Sequence, residues 1–278
     1  MNMQAQRPLI DIEAGRADRR YLRDLWEARQ LIWMFSWREI ALRYKQTLAG
    51  VLWVVLRPLA TTAIFALVFG KFLQVSSGEL PFALLVLAGL VPWQFAAYSF
   101  SGAADSLLAH AGVMSKVYFP RVIVPLSVFV VNVIDLLVCL VVLAVFMAVY
   151  GVAPDARVLA LPLFVLAALP VSAGLGLWFA ALTARYRDFR HVTPFLVMLS
   201  LYVSPVAYPA SVVPEAWKFW YWLNPLTVAI EGFRWSLFRG SVELYWVGLW
   251  CSMALSLAIL LAGYAYFRRV ERSIVDVI

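Results

Sequence analysis

The stretch VIVPLSVFVVNVIDLLVCLVVLAVFMAVY, residues 122–150, carries one charged side chain in 29 positions. A helix rises about 1.5 Å per residue, so about 20 such residues cross the hydrocarbon core of a bilayer. Lipid offers no partners to backbone N–H and C=O groups, so a helix, which satisfies its own, is the fold this stretch permits there. Similar runs recur at roughly 52–73, 82–103, 158–184, 192–208 and 245–267, which predicts six spanning helices. The ten-residue alternation of a membrane barrel strand is missing. With 64% hydrophobic and 14% charged residues, against about 45–50% and about 25% in soluble domains, the chain reads as an all-α integral membrane protein.

An even number of spans returns both ends to one side, and the basic residues indicate which. Seventeen Lys and Arg fall in residues 1–50, in the loop 104–121, at Arg185, Arg187 and Arg190, and in the tail. The other side has Lys71, Arg157, Lys218, Arg234 and Arg239. The excess places the termini in the cytoplasm. It also accounts for the net charge of +7 through cytoplasmic loops and anionic headgroups, with no nucleic-acid partner needed. The first 45 residues show no apolar core before a small-residue cleavage site, so the amino terminus is expected to be retained. Cys139 and Cys251 lie in apolar runs and read as packing residues, not as a disulfide framework.

Three segments between the spans are unusual. After a tail at 1–20, residues 21–50 mix Leu22, Leu25, Trp26, Ile32, Trp33 and Ile40 with acids and arginines, the pattern of an amphipathic helix in the headgroup plane. DSLLAHAGVMSK, Asp105–Lys116, opens on an acid and closes on a lysine, a short helix whose charges suit its dipole, before VYFPR returns to the membrane. Residues 209–240 are rich in aromatics yet broken at Asn224-Pro225 into pieces too short to span, and a seventh span would move Arg268, Arg269 and Arg272 outside. A re-entrant or interfacial hairpin is predicted, tolerated at membrane depth where protein or a wet cavity surrounds it.

Within the spans, Asp135 is expensive unless it finds a partner. With Asn132 on the same helical face it reads as a structural hydrogen-bond pair or as a proton or ion relay; no ladder of further acids favours the relay. Arg57 and Lys71 bracket the first span and reach opposite surfaces by snorkelling. Stripes of small residues, Ser172, Gly176, Ala180 and Ala184 in the fourth span and Gly248, Ser252 and Ser256 in the sixth, permit close helix approach. His110 and His191 are the only histidines and have no metal-ligand spacing. FGKF at 69–72 lacks the glycine-rich loop of a phosphate site. No catalytic constellation and no metal site is predicted, so any ATP-driven step needs a nucleotide-binding partner.

Five stretches together, LRYKQTLAGVLWVVLRPL, LLVLAGLVPWQFAAYSFSGAADSLLAHAGVMSKVYFPRVIVPLS, LTARYRDFRHVTPFLVMLSLYVSPVAY, LNPLTVAIEGFRWSLF and FRRVERSIVDVI, resemble the membrane subunits of ABC exporters for bacterial surface polysaccharides such as O-antigen, capsule and teichoic acid. KVYFPR and RYRDF are the most specific pieces, and the resemblance runs from about residue 21 to the end. It implies a homodimer in the bacterial inner membrane, with two copies of an ATPase that binds ATP and Mg, and a lipid-linked glycan as cargo. It assigns ATPase coupling to the segment around Asp105, His110, Ser115, Lys116 and Tyr118 and to Arg185, Arg187 and Asp188. It gives the hairpin the role of an outer gate containing Asn224, Pro225 and Glu231. Aromatic faces for a sliding glycan are expected among Trp93, Phe95, Tyr98 and Phe100 and among Trp217, Trp220 and Trp222, residues that an interfacial aromatic belt also explains. A sister exporter of lipo-oligosaccharide, drug or lipid shares this architecture. A membrane-embedded glycosyl- or acyltransferase would want clustered acids or a histidine at the surface.

Overall fold

Length decides which apolar runs become the frame of the molecule. The computed structural model describes residues 25–45, 50–76, 78, 80–114 and 119–271. Its helices are α1 (Arg29–Lys45), α2 (Gly50–Phe65, continued by a π-helical stretch Ala66–Phe72), α3 (Phe82–Ala109), α4 (Ala111–Met114), α5 (Ile123–Val149), α6 (Leu161–Arg185), α7 (Phe189–Val203), α8 (Glu215–Trp222), α9 (Pro225–Leu237) and α10 (Trp246–Glu271). Among the described residues there is no strand. Five segments are long and apolar enough to cross a membrane: Leu52–Phe72, Phe82–Ala109, Ile123–Val149, Ala156–Arg185 and Trp246–Glu271.

The run expected to span 192–208 folds differently: α7 has 15 residues and stops at Val203. Ser204 is extended (ψ 152°), the conformation imposed on a residue that precedes proline, here Pro205. At the other extreme, α3 has 28 residues, about 42 Å of helix, and runs past the expected end at 103. Nothing in Gly102–Ala109 breaks it. The turn comes at His110, whose Nδ1 lies 2.9 Å from the Ser106 carbonyl oxygen. The separate helix expected over Asp105–Lys116 is thus the last turn of α3 followed by the single turn α4, while Ser115, Lys116 and Tyr118 lie outside the described residues.

α3 is the central post. Leu84, Leu87, Val91 and Phe95 pack with Leu136, Cys139 and Leu143 of α5 and with Phe233 and Leu237 of α9. α2 lies at the edge, where Leu52, Trp53, Leu56, Ile64 and Leu67 are exposed. Lipid tails are as apolar as leucine, so helix contact in a membrane rests on close packing of small residues. A Cβ on Gly174 would lie 2.6 Å from the Ile259 carbonyl oxygen, and one on Gly263 would run into the Gly174 carbonyl, so α6 and α10 touch backbone to backbone. A Cβ on Gly176 would meet that of Ala103 at 2.7 Å. The small-residue stripes of α6 and α10 are buried within the chain.

Helix α1 follows α5 lengthwise. Ser36 Oγ donates to the Ser127 carbonyl at 3.0 Å, and Arg43 and Tyr44 reach Asp135. The separation along both helices is the same two turns, about 12 Å, so α1 runs beside α5 instead of across it. Its polar and apolar residues are not segregated as a headgroup-plane helix would have them: Trp33, Met34, Trp37 and Leu42 are exposed alongside Arg38, while Phe35 and Ser36 are buried. Phe35, Leu107, Phe119, Ile123, Ala184, Phe267 and Val270 form one cluster. It joins α1, the end of α3, the start of α5 and the ends of α6 and α10 at one end of the bundle, the basic end. The hairpin α8–α9 caps the other.

Candidate functional site

Three places gather the polar side chains. At the basic end, Arg121 of the FPR turn is fixed to the last helix: its backbone N–H donates to Glu271 Oε1 at 2.8 Å and its guanidinium to the Glu271 carbonyl. Arg268 donates to the other carboxylate oxygen at 2.6 Å. His110 stands edge-on to Phe35 with ring centroids 5.4 Å apart, and Phe35 packs on Phe119 at 5.5 Å. Asp105 is half-buried and close enough to Arg190 for their charges to interact. Arg185, Arg187 and Asp188 are exposed in the α6–α7 turn, with the Arg185 guanidinium over the Tyr186 ring at 5.4 Å. The described parts of the two segments singled out in the sequence therefore lie at the same end, the first half-buried around Asp105 and His110 and the second open.

At mid-depth a cleft of about 440 Å³ opens between the first half of α2, α3 and α5. Arg43, Arg57, Gln94, Tyr98, Ser101, Asn132 and Asp135 are among its polar lining. Arg43 Nη1 lies 2.5 Å from Asp135 Oδ2, and the Tyr44 hydroxyl donates to Oδ1. Burial, that hydrogen bond and the carboxylate charge all raise the Tyr44 pKa, keeping it a donor. Asn132 donates to Ser99 Oγ at 3.2 Å. Asp135 and Asn132 thus serve different partners, one tying α1 to α5 and the other α5 to α3. Among the proposed aromatics, Phe95 and Tyr98 line this cleft. Trp93 and Phe100 do not: the Trp93 indole donates to Ser200 at 3.1 Å, and Phe100 packs edge-on to Phe179 at 5.3 Å.

The third place is the hairpin. The NP break is a helix start in which Asn224 Oδ1 accepts from the Leu226 N–H at 3.0 Å with Pro225 following, the preferred order at a helix N-terminus. Asn224 also donates to Ser204 Oγ at 3.2 Å. Trp217 and Trp220 are exposed on α8, whereas Trp222 is buried against Tyr245. Glu231 and Arg234 are fully buried and paired at 2.9 Å. Arg234 also donates to the carbonyls of Leu85, Val206 and Tyr208, and Glu231 accepts from the Ala210 N–H at 3.0 Å. This pair pins the cap to the start of α3 and to the segment after α7. In the sequence Arg234 stands out only as an outer charge; an acid and a base three apart within an aromatic hairpin is the available signal. Arg43 and Tyr44 gave none, because their partner lies about ninety residues on. Among the described residues no group of His, Cys, Asp and Glu is placed to hold a metal ion.

Comparison with known proteins places this arrangement. Residues 30–238 match the family described as ABC-2 type transporter. An O-antigen export system permease protein RfbA of Klebsiella pneumoniae is 26% identical over 243 residues, 87% of this chain and 92% of that protein. The protein of the same description from Myxococcus xanthus is 29% identical over 77% of this chain and 83% of its own length. The polysialic acid transport protein KpsM of Escherichia coli is 23% identical over 85% and 92%. With three quarters of its length inside the family match, the chain belongs to the ABC-2 type transporter family as a membrane subunit.

Proposed function

We propose that this chain is the permease of an ATP-driven exporter that moves a lipid-linked polysaccharide, of the O-antigen or capsular kind, out across a bacterial inner membrane. The observation that carries the reading is the similarity to O-antigen and polysialic acid transport proteins along nearly the whole of both chains. An ABC transporter membrane subunit implies an ATPase partner, which would hold ATP and Mg, so this chain performs no covalent chemistry. In this reading α7 with residues 204–208 makes a sixth crossing, the basic end faces the cytoplasm together with both termini, and α8–α9 is a re-entrant outer gate.

Two permeases and two ATPases would form the working unit. The end of α3 with α4, around Asp105 and His110, and the exposed turn at Arg185, Arg187 and Asp188 would receive the ATPase. ATP binding shifts the balance of closed and open pores through contacts that differ between the two states. The latch of Arg121 on Glu271 and the Phe35–Phe119 cluster join the pushed segment to α1 and α10, so a displacement there moves several helices at once. The carrier lipid would arrive laterally beside α1 and α2 while the glycan slides past Phe95, Tyr98, Trp217 and Trp220. Affinity purification of the chain in mild detergent tests the reading. Recovery of a soluble ATPase in equal stoichiometry is expected, whereas a lone subunit with transferase activity on a lipid-linked sugar would overturn it.

A further inference from the structure

The hairpin is attached at two places of opposite character. One is the buried Glu231–Arg234 pair at its middle. The other lies at its far end, in the open. There the Gly240 N–H returns to the Trp235 carbonyl at 3.1 Å, the bond of a helix terminus whose intervening residue is left-handed. That residue is Arg239, at φ 53°. Glycine takes this conformation without steric cost, whereas an arginine is strained in it. The side chain shows what holds it: Arg239 Nε donates to the Ala153 carbonyl at 2.8 Å, in the loop between α5 and α6. Arg157, just before α6, reaches the other way, and its Nη1 donates to the Arg239 carbonyl. The Arg157 guanidinium lies over the Trp235 ring at 5.3 Å, and a Cβ on Gly240 would fall on it. Each arginine therefore binds the main chain of the other's segment.

The Arg157 side chain is 43% exposed, and Arg239 is exposed as well. When the clasp opens, both guanidiniums pass to water at little cost, and Arg239 is free to leave the left-handed conformation. The Glu231–Arg234 pair has no such exit, because it would have to come apart in the core. We propose that Arg157 and Arg239 are positioning residues of the export step, a releasable clasp that ties the far end of the hairpin to the start of α6. From this clasp α6 runs to the exposed turn at Arg185, so one rigid helix connects the proposed ATPase contact with the hairpin. The positioning role rests on the export reading above; the clasp itself does not.

Hydrogen exchange of the full-length chain in nanodiscs tests the clasp, and export in proteoliposomes with the ATPase tests its role. Arg157→Leu keeps an apolar stem over Trp235 and removes the donor. It is expected to speed amide exchange in residues 238–241 about tenfold, the loss of one hydrogen bond from a charged donor. Arg239→Gly installs the residue this backbone favours, so a side chain that holds nothing would leave exchange slower than before. Faster exchange is expected instead, and unchanged or slower exchange overturns the clasp. Lys218→Gln, which removes a charge of the same hairpin outside the clasp, is expected to leave exchange in residues 238–241 unchanged. In proteoliposomes both clasp variants are expected to keep ATP hydrolysis and to move several-fold less glycan per ATP. Unchanged glycan movement per ATP alongside faster exchange overturns the positioning role. Absence of ATP-dependent movement with the unaltered chain would instead remove the export reading and the role with it, while the exchange result still decides the clasp.

Discussion

Arg234 illustrates how one side chain closes an otherwise costly arrangement. A guanidinium buried among helices must lose all its water, and it regains hydrogen bonds from Glu231 and from three main-chain carbonyls on two other segments. Those carbonyls lie in the first turn of α3 and in the irregular segment that follows α7. Removing one partner of a buried ion pair costs about 3–5 kcal/mol. Arg234→Leu is therefore expected to lose at least that much, because Glu231 is left without its counter-charge and the carbonyls of Leu85, Val206 and Tyr208 lose the donor that Arg234 gives them. Glu231→Gln keeps an acceptor for Arg234 and the Ala210 N–H but removes the counter-charge, and should cost less than Arg234→Leu. Thermal unfolding of the two variants in detergent checks the order; equal losses would mean that the carboxylate, not the carbonyls, is what Arg234 satisfies. The neighbouring Gly89 fits this account, since a Cβ there would lie 2.7 Å from Arg234 Nη2.

Among the elements, α1 departs furthest from its sequence signature. Its tryptophans and arginines read as a headgroup-plane helix, yet its position comes from Ser36 and the Arg43–Tyr44–Asp135 tie, contacts whose partners are ninety residues away and have no local trace. A double-mutant cycle on Arg43→Ala and Asp135→Ala should give a coupling of about 0.5–3 kcal/mol, with Tyr44→Phe adding a smaller loss. Additive effects would show that α1 is placed by its apolar side chains alone. The long spans were legible because 20 or more apolar residues permit little else in lipid. Their ends were less so: α3 continues past residue 103 since Ala, Ser and Leu carry no stop signal, and α7 stops early because Pro205 acts on the residue before it. The Asn224-Pro225 break was legible, being a local device that serves as a cap whatever surrounds it. Burial was not, and Trp93, Phe100 and Trp222 look in sequence like Tyr98 and Trp217 although they sit in the core.

For the whole molecule, α1 and the end of α10 meet in the Phe35–Phe267 cluster, with the hairpin at the opposite end. In a background with Cys139 and Cys251 replaced, a cysteine at Trp217 should react with a membrane-impermeant thiol reagent in intact cells. One at Arg187 should react only after permeabilisation. The reverse pattern would invert the molecule and remove the outer-gate assignment. The central claim is that the chain forms a conduit driven by a partner's ATP hydrolysis. Its most direct measurement is movement of a lipid-linked glycan in proteoliposomes holding the chain with its ATPase. Transfer across the bilayer that requires ATP and both subunits is predicted, and undiminished transfer by this chain alone without nucleotide would contradict it.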